Sequence, residues 1–185
     1  MENIFEEWCE YARVKELKNR AISHNLLDLS ESKIIFITGI RRAGKSSLMM
    51  ILMRNLPEKS AYINLEDERI PRDSSSLDSI LQWFGEYGYL FLDEITSING
   101  WEGWLARIHE QTKGKLKIIV SSSVRSASNI VKPLRGRVIE CEIFPLSFKE
   151  FLSFKNIKII KTTAGEAALK KALPEYLIFG GYPEV

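Results

Sequence analysis

Eight consecutive residues, Gly39-Ile-Arg-Arg-Ala-Gly-Lys-Ser46, have the composition and spacing of a phosphate-binding loop. Gly39 and Gly44 let the chain curl so that successive backbone N–H groups point inward at phosphate oxygens, where a helix N-terminus adds partial positive charge. Lys45 can then reach the outer phosphates, and the Ser46 hydroxyl can ligate Mg²⁺. The expected phosphate-contact set is Gly39, Ile40, Arg41, Arg42, Ala43, Gly44, Lys45, Ser46 and Ser47. The bland alternative is a glycine turn with no ligand. The apolar run Ile34 to Ile37 before the loop and the helical periodicity after it supply the strand-loop-helix context that the phosphate reading requires.

A second cluster lies downstream. Tyr89-Leu-Phe-Leu-Asp-Glu94 places four apolar residues before two carboxylates, the pattern of a strand buried on both faces with acid at its carboxyl edge. In open α/β sheets that edge is where ligands bind. Asp93 is suited to hold Mg²⁺ through water, so Ser46 and Asp93 form the expected metal set. Glu94, one residue on, is the candidate to orient and deprotonate an attacking water. An Asp-Glu pair after a strand is otherwise a solvated turn; its pairing with Lys45 favours the chemical reading.

These side chains need elements to position them. Ile4, Trp8 and Tyr11 recur at helical spacing, which predicts a helix to about Arg20 packing one face on the core. Lys33 to Thr38 reads as the loop-bearing strand, Lys45 to about Leu56 as a helix ended by Pro57, and Ser60 to Leu65 as a second strand. A polar connection through Ser74-Ser75-Ser76 leads to a helix over Leu77 to Tyr87. Trp101, Trp104, Leu105 and Ile108 lie on one stripe of a further helix, with the tryptophans as core anchors rather than a base-stacking platform. Leu116 to Val120 is a strand running into three serines, and alternation over Arg137 to Ile143 predicts a half-exposed edge strand. From Leu146 the pattern is helical, over Phe148 to Leu152 and then Glu166 to Phe179. Strands alternating with helices give a three-layer α/β fold with a mostly parallel central sheet and a small helical C-terminal lid. The expected division is an α/β domain over 1–146, opening with the helix 1–20, and a lid over 147–185.

Composition bounds the alternatives. The chain is 45% hydrophobic and 27% charged over 185 residues, enough for one core and an appendage. Its net charge of +2 argues neither for nor against nucleic acid. Cys9 and Cys141 are too few and too far apart for a disulfide framework or zinc site, which fits a reducing compartment. His24 and His109 lack metal-type neighbours, so surface or capping roles are expected. No apolar run reaches the roughly 18 to 20 residues of a membrane span. The acidic, amphipathic start is not a signal peptide, and the expected location is the cytoplasm.

Taken together, the motifs resemble a family of bacterial and archaeal P-loop ATPases related to the AAA+ and STAND proteins. The resemblance is carried by Gly39 to Ser46, Ala61-Tyr-Ile-Asn-Leu65, Leu90-Phe-Leu-Asp-Glu-Ile95, Trp101-Glu102, Leu134-Arg-Gly-Arg137, Phe144-Pro-Leu-Ser-Phe-Lys-Glu-Phe151 and Gly180-Gly-Tyr-Pro183. It implies ATP or ADP with Mg²⁺ as ligands, hydrolysis of ATP, and an extra strand between the phosphate-loop strand and the Asp-Glu strand. It also implies a polar sensor of the γ-phosphate among Ser121, Ser122 and Ser123, with Ser122 the working choice. By the same resemblance, Asn64 is a candidate to hold Glu94 off the water, and Pro183 to approach the nucleotide base. Arg135 and Arg137 are candidate phosphate-sensing or intersubunit arginines, with a surface ion pair to Glu140 or Glu142 as the alternative. Family members have a glycine among those serines and continue well past the Gly-Gly-x-Pro segment, so a C-terminal domain beyond Val185 is expected.

Two rival readings stand beside the ATPase. One is a nucleotide-dependent switch or scaffold with negligible turnover. The other is a module acting on nucleic acid, supported only by Lys149, Lys155, Lys158, Lys161 and the arginines from Arg125 to Arg137; such lysine-rich faces are usually just solvated. A homo-oligomer or a partner protein is compatible with each.

Overall fold

Apolar runs and their breakers set the element order along the chain. A computed structural model describes residues 1–18, 20, 33–123 and 134–182; the side chain of Phe179 is left aside, and His24, Arg125 and Pro183 lie outside the described residues. The elements are α1 (Glu2–Val14), β1 (Ile34–Thr38), α2 (Lys45–Arg54), β2 (Ser60–Asn64), α3 (Ser74–Phe84) and β3 (Gly88–Asp93), then α4 (Trp101–Thr112), β4 (Leu116–Ser122), β5 (Val138–Glu142), α5 (Phe148–Phe154) and α6 (Thr163–Phe179). A short 3₁₀ turn, Ile95–Ser97, follows β3.

All five residues of β1 are buried, as expected of a strand covered on both faces. The strands form one sheet in the order β2-β3-β4-β1-β5, and every pairing is parallel. β4 is therefore the extra strand between the loop strand and the Asp-Glu strand. Side chains alternate across the sheet. Ile34 and Phe36 join a core with α3 and α4 on one face, while Ile35 and Ile37 join a second core with α2 on the other. Helix layers on both faces complete the three-layer α/β arrangement. Trp101 and Trp104 are buried in the first core, and the Trp104 indole N–H donates to Asp78 at 2.9 Å, so both are core anchors.

The N-terminal helix departs from expectation in two ways. It ends at Val14 rather than Arg20, because Lys15 takes an extended backbone and the Arg54 guanidinium satisfies the carbonyls of Ala12 and Lys15. Its buried stripe is Phe5, Cys9 and Ala12, while Ile4 and Trp8 flank that stripe and Tyr11 is exposed. Phe5 and Cys9 enter one core and Ala12 the other, so α1 wraps the β2 edge of the sheet. The triple serine also differs: Ser74 to Ser76 form the first turn of α3, because Asp73 caps it by accepting from the Ser75 N–H at 2.9 Å.

At the other edge β5 is partly exposed, with Glu140 and Glu142 outward. After it, Ser147 and Glu150 close a capping box on α5. Phe148 and Phe151 then join α5 to α6 through ring contacts with Tyr176, centroids 5.3 and 5.4 Å apart. Among the described residues no helix is long and apolar enough to cross a membrane.

Candidate active site

The loop between β1 and α2 owes its shape to its glycines. Gly39 has φ +142°, and a Cβ there would lie 2.2 Å from the Ile143 carbonyl oxygen, so only glycine lets the chain after β5 pass this close. Gly44 is left-handed and precedes α2 with no side-chain cap, which leaves the amides of the first helical turn to a ligand. Arg41 and Arg42 are exposed at the mouth of the cleft, and Ser46 and Ser47 are half-buried along it.

Lys45 is almost wholly buried. Its ammonium donates to the Gly39 carbonyl at 3.1 Å and to Ser123 Oγ at 2.8 Å, and lies 3.5 Å from Glu94 Oε1. The Glu94 carboxylate in turn accepts from the Ser123 N–H at 2.8 Å and from the Ser123 hydroxyl. Glu94 has a left-handed backbone, φ +54°, which is unusual for a residue with a side chain and turns its carboxylate from the strand end into the cleft.

Asp93 is buried at the end of β3. The Tyr62 phenol donates to its Oδ2 at 2.6 Å, and the Ser121 hydroxyl donates to its Oδ1. Ser121 Oγ also accepts from the Glu94 N–H at 2.8 Å. Tyr62 and Ser46 line the same cleft. Burial first, and then the charge and hydrogen bond of Asp93, hold the Tyr62 phenol far above its ordinary range.

Strand alternation separates the three serines. Ser121 and Ser123 point toward the Asp93-Glu94 side, whereas the Ser122 hydroxyl, on the opposite face, meets Thr96 Oγ1 at 3.2 Å. Ser123, rather than the working choice Ser122, is the serine that lines the cleft and touches Lys45. Asn64 also lines the cleft, but its Oδ1 accepts from the Glu66 N–H at 2.9 Å while Ser123 and Lys45 engage Glu94. Arg135 is exposed, and Arg137 pairs with Glu110 at 3.3 Å. The Arg137 carbonyl accepts from the Ile34 N–H at 2.8 Å, so this arginine sits beside the start of β1, at the opposite end of that strand from the loop. Half-buried His109 lies in the last turn of α4.

Sequence reasoning missed two residues. Tyr62, read as an ordinary strand residue, lines the cleft and donates its phenol proton to Asp93, one of the two expected metal ligands. Arg20, read as the end of a helix, is a buried guanidinium that donates to the Ala43 carbonyl at 2.8 Å, to the Phe144 carbonyl at 3.0 Å and to Glu150 Oε1 at 3.3 Å. It ties the phosphate loop to the capping box of α5. Burial raises the Glu150 carboxyl, but bonds from Ser147 and Arg20 outweigh that and hold it below its ordinary value.

The phosphate cleft has a volume of about 380 Å³ and contains Lys45, Ser46, Asp93, Glu94 and Ser123. A second cavity of about 460 Å³ adjoins it, sharing Gly44 and Ser47 and reaching Leu48 and Ile51 of α2, Leu146 and Phe151. Among the described residues no cluster of three or more His, Cys, Asp or Glu side chains forms a cage for a metal. Asp93 has no ion-pair partner among them, while both of its oxygens are oriented by hydroxyls. One carboxylate and one hydroxyl beside a phosphate cleft suit Mg²⁺, which takes few protein ligands and completes its shell with phosphate and water.

The chain resembles known proteins in sequence and in fold. It is 35% identical over 191 residues to an uncharacterized protein of Methanocaldococcus jannaschii, covering all of this chain and 42% of that one. An uncharacterized protein of Haemophilus influenzae is 29% identical over 161 residues, covering 80% of this chain and 39% of that one. The chain thus spans about two fifths of the length of these curated relatives. In fold it is similar to PCH-2 of C. elegans (TM-score 0.50, 18% identity, 84% of this chain and 46% of that one). It is also similar to a STAND protein with a tetratricopeptide repeat sensor from Pyrococcus horikoshii (TM-score 0.56, 14% identity, 92% of this chain and 29% of that one). A family model described as AAA domain matches residues 31–152, which include the phosphate loop, the Asp-Glu pair and the three serines. With this match over most of its length, the chain belongs to the AAA domain family of P-loop ATPases.

Proposed function

We propose that the chain binds ATP with Mg²⁺ in the cleft at Lys45 and hydrolyses it to ADP and phosphate. The observation that carries this reading is that a buried lysine, two carboxylates and an uncapped helix N-terminus face one cleft. The loop amides and Lys45 would hold the β- and γ-phosphates, and the adjoining cavity over Leu48 and Ile51 would take the base. ATP rather than GTP rests on the family, since the sequence has no Asn-Lys-x-Asp guanine-reading motif. Ser46 and Asp93 would hold Mg²⁺, which neutralises charge developing on the phosphate oxygens. Glu94 accepts a proton from water as the water oxygen bonds to the γ-phosphorus and the bond from phosphorus to the bridging oxygen breaks. ADP takes up the electron pair of that bond. Ser123, bonded to both Lys45 and Glu94, is placed to report on the γ-phosphate.

A second reading has its own support. The Glu94 carboxylate is engaged by Ser123 and Lys45, an arrangement in which it is not available to water. A protein that stays in this arrangement would be a nucleotide-dependent switch. Isothermal calorimetry with ATP and Mg²⁺, on wild type and Lys45→Ala, tests the common part: binding should be lost in the variant, and unchanged affinity would remove the cleft as the nucleotide site. Turnover in wild type separates the two readings.

A further inference from the structure

The Tyr62 phenol is bonded to the carboxylate directed at the metal, in the cleft that Ser46 also lines. It donates its only proton to Asp93 Oδ2 at 2.6 Å. The other Asp93 oxygen is held by Ser121, so the carboxylate is fixed from both sides. The ring is itself held: Trp8 packs edge-on at 6.2 Å, its indole N–H anchored on Asp67 at 2.9 Å, and the Cys9 thiol donates to the Tyr62 carbonyl at 3.6 Å.

We propose that Tyr62 is a positioning residue for the divalent-cation site: its hydroxyl fixes Asp93, the carboxylate directed at the metal, and so makes nucleotide affinity respond to magnesium. This rests on the nucleotide reading of the Lys45 cleft. The alternative is a buried tyrosine that merely satisfies Asp93 and contributes only stability. In that case removing the hydroxyl would lower the melting temperature and leave the magnesium response intact.

The test is calorimetric affinity for ADP with Mg²⁺ and with EDTA, on wild type and Tyr62→Phe, together with thermal unfolding of the metal-free proteins. The quantity of interest is the ratio of the two affinities. In Tyr62→Phe that ratio should fall about tenfold, the size expected for losing a hydrogen bond to a charged group, while affinity in EDTA stays within about twofold of wild type. Should Tyr62→Phe lack wild-type helical content, Tyr62→Met fills the same apolar space without a hydroxyl and is read in the same way. A ratio unchanged in a folded variant overturns the role of Tyr62 alone, as does a wild type whose affinity ignores magnesium. A wild type that binds no ADP in either condition overturns the nucleotide reading beneath it.

Discussion

Lys45 Nζ and Glu94 Oε1 lie 3.5 Å apart, and Ser123 Oγ is bonded to both. The cation proposed to hold phosphate and the carboxylate proposed to take a proton from water thus neutralise one another within the cleft. On the proposed reading, a nucleotide γ-phosphate entering the loop would compete with Glu94 for Lys45, which would couple binding to release of the carboxylate.

Replacing Glu94 by Gln keeps the shape of the side chain and removes its ability to take a proton. ATP affinity should be retained while turnover falls by about 10² to 10⁴. Calorimetry and steady-state phosphate release measure the two quantities. Turnover that survives in the variant removes Glu94 as the base.

Ser123→Ala and Ser122→Ala should differ in kind. The first breaks the link between Lys45 and Glu94 and should change turnover at least tenfold. The second loses the bond to Thr96 and should cost about 1 kcal/mol of stability with little change in turnover. Chemical denaturation and phosphate release on both variants check this, and equal kinetic effects would contradict the assignment.

Arg20→Met breaks a buried contact to the loop and to Glu150 and should cost about 3 kcal/mol. Because the folded Glu150 carboxyl sits below its ordinary value of 4.5, its stabilising contribution is complete above that value and is lost as pH falls through the lower folded value. The variant loses one of the bonds that hold this carboxyl down. The gap in melting temperature between wild type and variant should therefore be wide at pH 7 and narrow in acid. A gap that does not change with pH would show that Glu150 plays no part in it.

Arg137 cannot serve the loop of its own chain, because about 16 Å of β1 separates them at about 3.3 Å per residue. If it acts on phosphate it does so in a neighbouring subunit, where such an arginine is worth roughly 10³ to 10⁵ in GTPases. Turnover per molecule should then rise with protein concentration, and Arg137→Ala mixed into wild type should lower the activity of the mixture. Concentration-independent turnover from dilute protein would exclude this role.

The loop and the Asp-Glu pair were legible because each is written in adjacent residues flanked by a strand. The parallel sheet was legible from alternating apolar runs. Ser123 was not, since choosing among three serines needs the phase of β4, and that phase is fixed by pairing with β1 rather than by local sequence. Tyr62 was hidden because a tyrosine in a strand has good β-propensity whether or not its hydroxyl has a task. Arg20 was hidden because one guanidinium in a charged segment gives no sign of where its chain will turn. The end of α1 depends on Arg54, a partner far away in sequence.

The passage of Gly39 over the Ile143 carbonyl has a mechanical meaning. No side chain lies between them to act as a cushion, and the Ile143 N–H is bonded at 2.7 Å to the Thr38 carbonyl one residue before. The segment 143–146, which leads into α5, and the first residue of the phosphate loop are therefore joined without slack. A rotation of that segment cannot be absorbed by side-chain rearrangement and must appear as displacement of the loop, as it would through a rigid axle rather than a spring.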